Sequence, residues 1–144
     1  MENTKTIDFS VIEFSQSPGP RYCSQGDDSG EMFYHQELNQ KFAEAYQSGN
    51  KLRVILDGAD GYASSFLDEA FGNLVYDFGE NVVRDSLIVV SDDEEVWKTM
   101  IFNETMPEWE KRRKNNLPPK MTAALDKWFR IINGELKKKV WEYV

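Results

Sequence analysis

The sequence predicts an α/β protein in which a mixed or parallel sheet of about four to five strands packs with helices. Two observations carry this prediction. The short aliphatic runs "KLRVILD" (51–57) and "LIVV" (87–90) are typical of buried strands. Each run precedes a segment in which apolar residues recur at helical spacing. This alternation favours parallel strands joined by right-handed crossovers, with functional groups at the carboxyl ends of the strands.

The chain opens with a predicted strand. "KTIDFSVIEF" (5–14) alternates apolar and polar residues and leads into "SQSPGPR", which predicts a turn. We interpret the following loop, "YCSQGDDSGE" (22–31), as the polar tip of a hairpin with a short second strand. Ser29 is a candidate N-cap for a helix over residues 31–47, which the "SGN" sequence closes. His35 lies in this helix, where we expect a partly exposed side chain.

The strand over 51–57 is expected at the centre of the sheet and covered on both faces, because its middle is continuously apolar. The helix after it has a regular apolar face, formed by Ala63, Phe66, Leu67, Ala70, Phe71, Leu74, Val75 and Phe78. Two serines, Ser64 and Ser65, stand where this helix begins. Because Ser65 and Asp68 have the S-x-x-D spacing of a capping box, we expect the serines to cap the helix.

The third strand, 87–90, leads into the acidic sequence "SDDEE", which predicts a helix from Asp92 to about Asn103. The character of the chain changes after Pro107. Prolines interrupt a charged linker, and the remaining sequence predicts one or two amphipathic helices. We therefore divide the chain into an α/β domain, 1–106, and a basic linker with a C-terminal helical extension, 107–144.

The two parts carry opposite net charges. Residues 1–107 contain 7 Lys and Arg against 20 Asp and Glu, whereas residues 108–144 contain 10 against 5. We favour packing of the basic extension on the acidic body of its own chain or of a second copy. Docking of a C-terminal helix onto a partner, including a homodimer through this helix, is the alternative. Nucleic-acid binding by "KRRK" (111–114) and "KKK" (137–139) is less favoured, since the acidic body opposes a continuous positive field.

Composition limits the classes of function. No apolar stretch approaches the roughly 20 residues of a membrane span, and residues 1–10 do not resemble a signal peptide, so we expect a cytoplasmic protein without membrane contact. One cysteine, Cys23, and one histidine supply neither an internal disulfide nor a structural zinc site. The sequence has no nucleophile elbow, P-loop, dinucleotide fingerprint or H-x-x-H pair, so we predict no catalysis and no cofactor.

Four carboxylates, Asp57, Asp60, Glu69 and Glu31, supply the enzymatic alternative. Carboxylates that meet near strand ends can hold Mg²⁺ or perform acid/base chemistry, so a small magnesium-binding hydrolase is the second hypothesis. We also expect Arg21 to pair with Glu31 across the first loop, because a bidentate arginine would order it.

Two segments carry a resemblance to a known family. "RYCSQGDDSGEMFYHQEL" (21–38) and "VILDGADGYASSFLDEAFGNLV" (54–75) resemble the STAS-like bacterial proteins of unknown function grouped as DUF4325. The matching residues of the first motif are Gly19, Arg21, Gly26, Ser29, Gly30, Glu31 and Phe33. Those of the second are Asp57, Gly58, Gly61, Tyr62, Ser64, Ser65, Phe66, Leu67, Asp68, Glu69, Ala70, Phe71, Gly72 and Leu74. The likeness covers roughly residues 5–100 and does not reach the C-terminal part.

The resemblance implies a STAS-like fold similar to that of anti-sigma factor antagonists. In those proteins, a partner with a histidine-kinase-like ATPase domain phosphorylates a serine at the start of the helix after the central strand. The same plan assigns the phosphoacceptor place to Ser64, with Ser65 beside it. Ala63 stands where that plan has an acidic residue, and Phe66 where it has a glycine.

We therefore expect a regulatory protein-interaction module whose partner is an ATPase or a kinase-like protein. Ser64 and Ser65 are the candidate phosphoacceptors, although Asp68 and Glu69 would repel a phosphate there. The expected partner-binding residues are Arg21, Ser29, Glu31, Asp57, Asp60, Tyr62, Phe66, Asp68 and Glu69.

Overall fold

A parallel three-stranded sheet forms the centre of the protein, whose computed structural model describes residues 4–141. The strands are β1 (Thr6–Ser10), β2 (Lys51–Ile55) and β3 (Leu87–Val90), in the spatial order β1-β2-β3. The predicted central position of the second strand is confirmed, but among the described residues this sheet has three strands instead of the predicted four to five, because the other two strands form a separate antiparallel sheet. Phe9, Val54 and Val89 pair across the sheet and are buried, so this face contributes to the hydrophobic core.

The opposite face of the sheet is more open than predicted. Arg53 and Ile55 of β2 are only half-buried, and the Arg53 guanidinium binds the exposed Asp8 carboxylate of β1 at 3.2 Å. β1 is also shorter than the predicted strand. A 3₁₀ turn over Val11–Glu13 follows it, and Glu13 accepts a hydrogen bond from the Ser10 amide at 2.9 Å, which ends the strand.

The first helical stretch consists of α1 (Gly30–Phe33), a π-helical turn (Tyr34–Leu38) and α2 (Asn39–Gln47). The predicted cap is confirmed, because Ser29 Oγ accepts a hydrogen bond from the Met32 amide at 3.0 Å. The loop before it contains a 3₁₀ turn, Cys23–Gln25, in place of the predicted second hairpin strand. The buried Glu31 accepts the Cys23 amide at 2.9 Å, so the loop is tied to the helix instead of pairing with β1.

α3 (Ser64–Phe78) carries the apolar face that the sequence predicts. Its buried hydrophobic residues are Phe66, Leu67, Ala70, Phe71, Leu74, Val75 and Phe78. A short helix that the sequence analysis did not predict, α4 (Glu80–Ser86), follows directly after Gly79. The first amides of a helix have no partner within the helix. In α4 the amide of Glu80 donates to the Glu110 carboxylate at 2.9 Å, so a side chain distant in the sequence stabilises the start of this helix.

The second helical stretch comprises α5 (Glu95–Met100), a π-helical turn (Ile101–Thr105) and α6 (Met106–Lys114). The prediction that this helix ends near Asn103 is wrong, and our division at 106 and 107 falls inside the helical stretch. Proline breaks an α-helix because it lacks an N–H and clashes with the carbonyl four residues earlier. The π turn before Pro107 changes that hydrogen-bond register, so the stretch continues. Within residues 4–141, no helix is long and apolar enough to cross a membrane.

The predicted C-terminal helical extension is wrong. The described chain ends in an antiparallel hairpin, β4 (Trp128–Ile132) and β5 (Glu135–Lys139). Asn133 and Gly134 form the turn with φ angles of 52° and 79°, the left-handed backbone of a two-residue hairpin loop.

The hairpin packs on the helices through buried groups. Trp128 is 1% exposed and contacts the ring of His35 at 4.5 Å, so His35 is buried instead of partly exposed. Burial lowers the pKa of His35 to about 4. Asn39 exchanges two hydrogen bonds with the Phe129 backbone at 2.8 and 2.9 Å. These contacts make the hairpin part of the same core as the first helical stretch.

Candidate functional site

The start of α3 is where the sequence places the functional serines. Ala63, in extended conformation (φ −87°, ψ 138°), is the N-cap residue, and no side chain caps the helix there. Ser64 is therefore the first helical residue and is exposed, whereas Ser65 is half-buried. The prediction that the serines cap the helix is wrong, because the helix begins one residue before the S-x-x-D motif.

The loop before α3 is held by side chains at the carboxyl end of the sheet. Asp57 accepts hydrogen bonds from the amides of Asp92 and Asp93 at 3.2 and 2.8 Å, which joins this loop to the one after β3. Asp60 accepts hydrogen bonds from the side chains of Gln16 and Ser17. Both aspartates therefore organise loops of the protein itself.

Tyr62 completes this loop. Its hydroxyl donates to the Leu56 carbonyl at 2.6 Å, and its ring packs near Phe66 and Trp97. Burial, with a smaller effect of the Asp57 carboxylate, raises the pKa of Tyr62. The tyrosine thus stays neutral and fixes the turn from which α3 starts.

Arg21 connects the first loop to α3. Its Nη1 atom donates to Asp68 at 2.8 Å and to Glu69 at 3.1 Å. The predicted pairing of Arg21 with Glu31 is therefore wrong. Glu69 is 1% exposed and also accepts a hydrogen bond from Asn73 at 2.9 Å. Burial raises the pKa of Glu69, although the bonds from Asn73 and Arg21 oppose this rise.

Trp109 of α6 also forms a hydrogen bond with Asp68. Its Nε1 donates to Asp68 at 3.2 Å, and its indole lies against Gly72 of α3. Any side chain at position 72 would occupy the space of the indole, so the glycine permits this close approach of the two helices. The arrangement holds Asp68 between a guanidinium and an indole N–H.

Glu31 performs a different task from the one predicted. Its carboxylate accepts hydrogen bonds from the Cys23 amide and from both the amide and the hydroxyl of Thr122. Burial would raise the pKa of Glu31, but these hydrogen bonds outweigh burial and lower it. Glu31 therefore anchors the segment that leads to the C-terminal hairpin.

A groove of about 290 Å³ lies beside the start of α3. Its lining residues are Arg21, Ser64, Asp68, Met100, Glu104, Thr105 and Glu108. It brings together three predicted site residues, Arg21, Ser64 and Asp68, with side chains of the second helical stretch. The groove is mainly acidic, with Arg21 as the basic residue in its lining.

The predicted site residues divide into exposed and buried groups. Arg21, Asp57, Asp60, Tyr62, Ser64, Ser65 and Asp68 reach the surface at least in part. Ser29, Glu31, Phe66 and Glu69 are buried, each at 1% exposure or less. These four therefore support the surface and do not offer contact area to a partner.

The four carboxylates of the enzymatic alternative bind separate groups of the protein, as the contacts above show. Among residues 4–141, no three Asp, Glu, His or Cys side chains lie together so that they could hold a metal ion. Residues 4–141 therefore contain no cluster of side chains that could bind the magnesium ion of the second hypothesis.

Sequence reasoning missed Asn73, Trp109 and Thr122, which lie 4, 41 and 91 residues from their partners Glu69, Asp68 and Glu31. One signal was available for Trp109. A glycine within an otherwise apolar helical face, such as Gly72, indicates the close approach of another element.

Comparison with known proteins gives a match for the central segment of the chain. Residues 30–97 match the family model described as a STAS-like domain of unknown function (DUF4325). Searches of curated proteins and of solved structures gave no match. The matched segment runs from α1 through α3 to the start of α5 and contains Ser64, Asp68 and Glu69. Residues 30–97 of this chain are therefore similar to the DUF4325 family of STAS-like domains of unknown function.

Proposed function

We propose that this chain is a non-catalytic protein-interaction module whose partner binds the face around the start of α3. The observation that carries the proposal is the position of Ser64, exposed at the first residue of a 15-residue helix and lining a groove beside Arg21. The STAS-like family assignment is consistent with a non-catalytic module. The partner we propose is an ATPase or kinase-like regulator, as the likeness to anti-sigma factor antagonists implies.

Phosphorylation of Ser64 is the proposed switch. The first amides of a helix are free to bind a phosphate, and the helix dipole favours negative charge at this end. The Arg21 guanidinium lines the groove and forms ion pairs with both Asp68 and Glu69. A phosphate on Ser64 would compete with Asp68 for Arg21 and would be repelled by Glu104 and Glu108. The modification would therefore rearrange the face that the partner binds.

The test is purification of the tagged chain from the cells that produce it, followed by intact-mass analysis and identification of the bound protein. We expect a histidine-kinase-like ATPase to co-purify, and a fraction of the chain to be about 80 Da heavier. The mass gain should disappear in Ser64→Ala and persist in Ser65→Ala.

Binding of the recovered partner is then measured by calorimetry. Ser64→Glu should weaken binding at least tenfold with unchanged thermal stability, because the new charge meets Asp68, Glu104 and Glu108. Ser48→Glu is the matched control, since Ser48 is exposed at the end of α2, away from the groove. Equal weakening by both substitutions, or recovery of an unmodified chain without an ATPase, would refute the proposal.

A further inference from the structure

Eight of the ten basic residues in 108–144 lie on two separate parts of the fold, α6 and the C-terminal hairpin. Lys111, Arg112, Arg113 and Lys114 occupy the last turn of α6, where positive charge also favours the helix dipole. Lys137, Lys138 and Lys139 lie on β5, and Arg130 lies on the neighbouring β4. We refer to these eight residues as the basic surface.

The two elements meet at the end of α3. The Arg113 guanidinium packs against Gly79, and Arg130 lies over the ring of Tyr76 at 5.3 Å. Gly79 is the C-cap residue that directly follows α3, three residues after Tyr76. Burial raises the pKa of Tyr76, and the positive charges of Arg130, Arg112 and Arg113 oppose this rise because all three lie near its ring. The charge of α6 and that of the hairpin are therefore neighbours in space, although 17 residues separate the two arginines in the sequence.

The positive charge continues along the hairpin. Arg130 and Lys139 both lie over the ring of Trp141, at 4.7 and 4.5 Å from its centre. Lys138 lies over the ring of Phe129 at 5.0 Å. Two cations that share one indole repel each other, and an anion bound beside them would relieve this repulsion.

Nearby carboxylates neutralise only part of the basic surface. Arg113 pairs with Glu110 at 2.7 Å, and Lys114 lies 3.9 Å from the same carboxylate. Arg130 pairs with Asp77 at 2.7 Å, and Lys137 with Glu135 at 3.9 Å. Lys111, Arg112, Lys138 and Lys139 form no ion pair with any residue in the range 4–141. The surface therefore keeps a positive excess within a chain of net charge −8.

We propose that the basic surface binds the phosphate backbone of a nucleic acid. Its cations are spread along a helix end and a strand, which suits a linear polyanion better than a single phosphate group. Trp109 and Trp141 are 1% and 8% exposed, so they are too buried to stack on bases. Contacts to phosphates alone carry little sequence information, and binding should therefore be nearly independent of sequence.

This surface is separate from the face proposed for the protein partner. Ser64 begins α3, whereas Tyr76 and Gly79 lie at its other end, 12 and 15 residues later. The 15-residue helix is about 22 Å long, so both surfaces can be occupied at the same time. Failure of one proposal therefore leaves the other intact.

The test is fluorescence anisotropy with three labelled probes of about 20 nucleotides or base pairs, namely oligo(dT), oligo(U) and a DNA duplex. The four cations that form no ion pair within residues 4–141 predict a slope of log affinity against log salt of about −3 for single strands. Between about 50 and 200 mM salt, affinity should then fall by about 50-fold. The probe that binds most tightly distinguishes RNA, single-stranded DNA and duplex DNA as the source of the phosphates.

A charge-matched pair of variants tests the location. Lys111→Glu with Lys139→Glu should lower affinity at least tenfold and halve the salt slope. Lys51→Glu with Lys98→Glu changes the net charge equally at exposed lysines of the acidic body and should retain most of the affinity. Circular dichroism confirms that both variants are folded. Equal losses in both pairs, absence of binding to all three probes, or tighter binding to polyglutamate than to any nucleic acid would overturn the proposal.

Discussion

Replacing Gly72 with alanine tests how closely α6 packs on α3. A Cβ at this position would lie 2.1 Å from Cε2 and 2.3 Å from Nε1 of Trp109. Unbonded heavy atoms are comfortable at about 3.5–4.0 Å. Because Trp109 is 1% exposed and bonded to Asp68, its indole cannot move away without shifting α6.

The expected loss follows from two opposing effects. Alanine is better than glycine in a helix by about 1 kcal/mol. An overpacked core loses about 1–3 kcal/mol, and the depth of this clash indicates the upper end of that range. We therefore expect the free energy of unfolding to fall by about 2 kcal/mol, the balance of a loss near 3 and a gain near 1.

Urea denaturation followed by far-ultraviolet circular dichroism measures this change. With a denaturant slope of about 2 kcal/mol/M, the midpoint should fall by about 1 M. In a Trp109→Ala background the clash is absent, so the same substitution should stabilise the protein by about 1 kcal/mol. A Gly72→Ala protein as stable as its parent, or an equal loss in both backgrounds, would refute the packing argument.

Three further changes test other parts of the structure. Ala63→Asp should raise the free energy of unfolding by about 1 kcal/mol, because it supplies the missing side-chain cap of α3. Ser65→Ala should change the free energy of unfolding by less than about 0.5 kcal/mol. A loss near about 1 kcal/mol in Ser65→Ala would show that the serine does cap the helix. Burial raises the pKa of Asp77 from its ordinary 3.8 to about 6, against the opposing effect of Arg130, so its folded form holds a proton more tightly than the unfolded chain. The stabilisation from this proton is complete below pH 3.8 and is lost as pH rises through 6. In urea titrations, the free energy of unfolding of the parent relative to Asp77→Asn should therefore decrease over this pH range. A difference that stays constant with pH would contradict the raised pKa of Asp77. Glu31→Gln should lower the free energy of unfolding by about 1.5–3 kcal/mol and speed hydrogen exchange at the Thr122 amide, because the side-chain NH₂ of glutamine cannot accept the hydrogen bond from that amide. Glu44→Gln, at an exposed site of α2, is the control. Equal effects of the two substitutions would contradict the anchoring role of Glu31.

The central fold could be predicted because its signals are local. The aliphatic run of β2 and the apolar face of α3 each lie within one element and determine its type and its buried side. Ser29 likewise needs only the residues after it to act as a cap. The start of α3 was misplaced because its N-cap residue, Ala63, has no polar side chain that would mark it in the sequence. The Tyr62 side chain holds the loop before the helix instead.

The C-terminal hairpin was missed although a local signal existed. Trp128, Ile132 and Leu136 follow one another at intervals of four, a spacing that also fits a helix face. The dipeptide Asn133–Gly134 between them is a strong hairpin signal and decides in favour of strands. The end of the second helical stretch was predicted too early for a different reason. No local sequence pattern predicts the π turn that lets the helical stretch continue past Pro107.

The side-chain partners of the site depend on distant contacts. Arg21 meets Asp68 across 47 residues, and Glu31 meets Thr122 across 91. Sequence proximity favoured the pairing of Arg21 with Glu31, since both lie near the same loop. The preference of buried charges for good geometry determined the actual partners instead, and it cannot be evaluated without the fold.

The family-matched segment is incomplete as a structural unit. Asn39 and Asp77 lie within residues 30–97, and both are buried polar groups. Their partners include the Phe129 backbone and the Arg130 guanidinium, which lie outside that segment. A buried polar group that loses its partner costs about 1–3 kcal/mol, and a charged one costs more. The hairpin therefore satisfies groups that residues 30–97 cannot satisfy by themselves, so the stability of the segment that matches the family model depends on residues outside that segment.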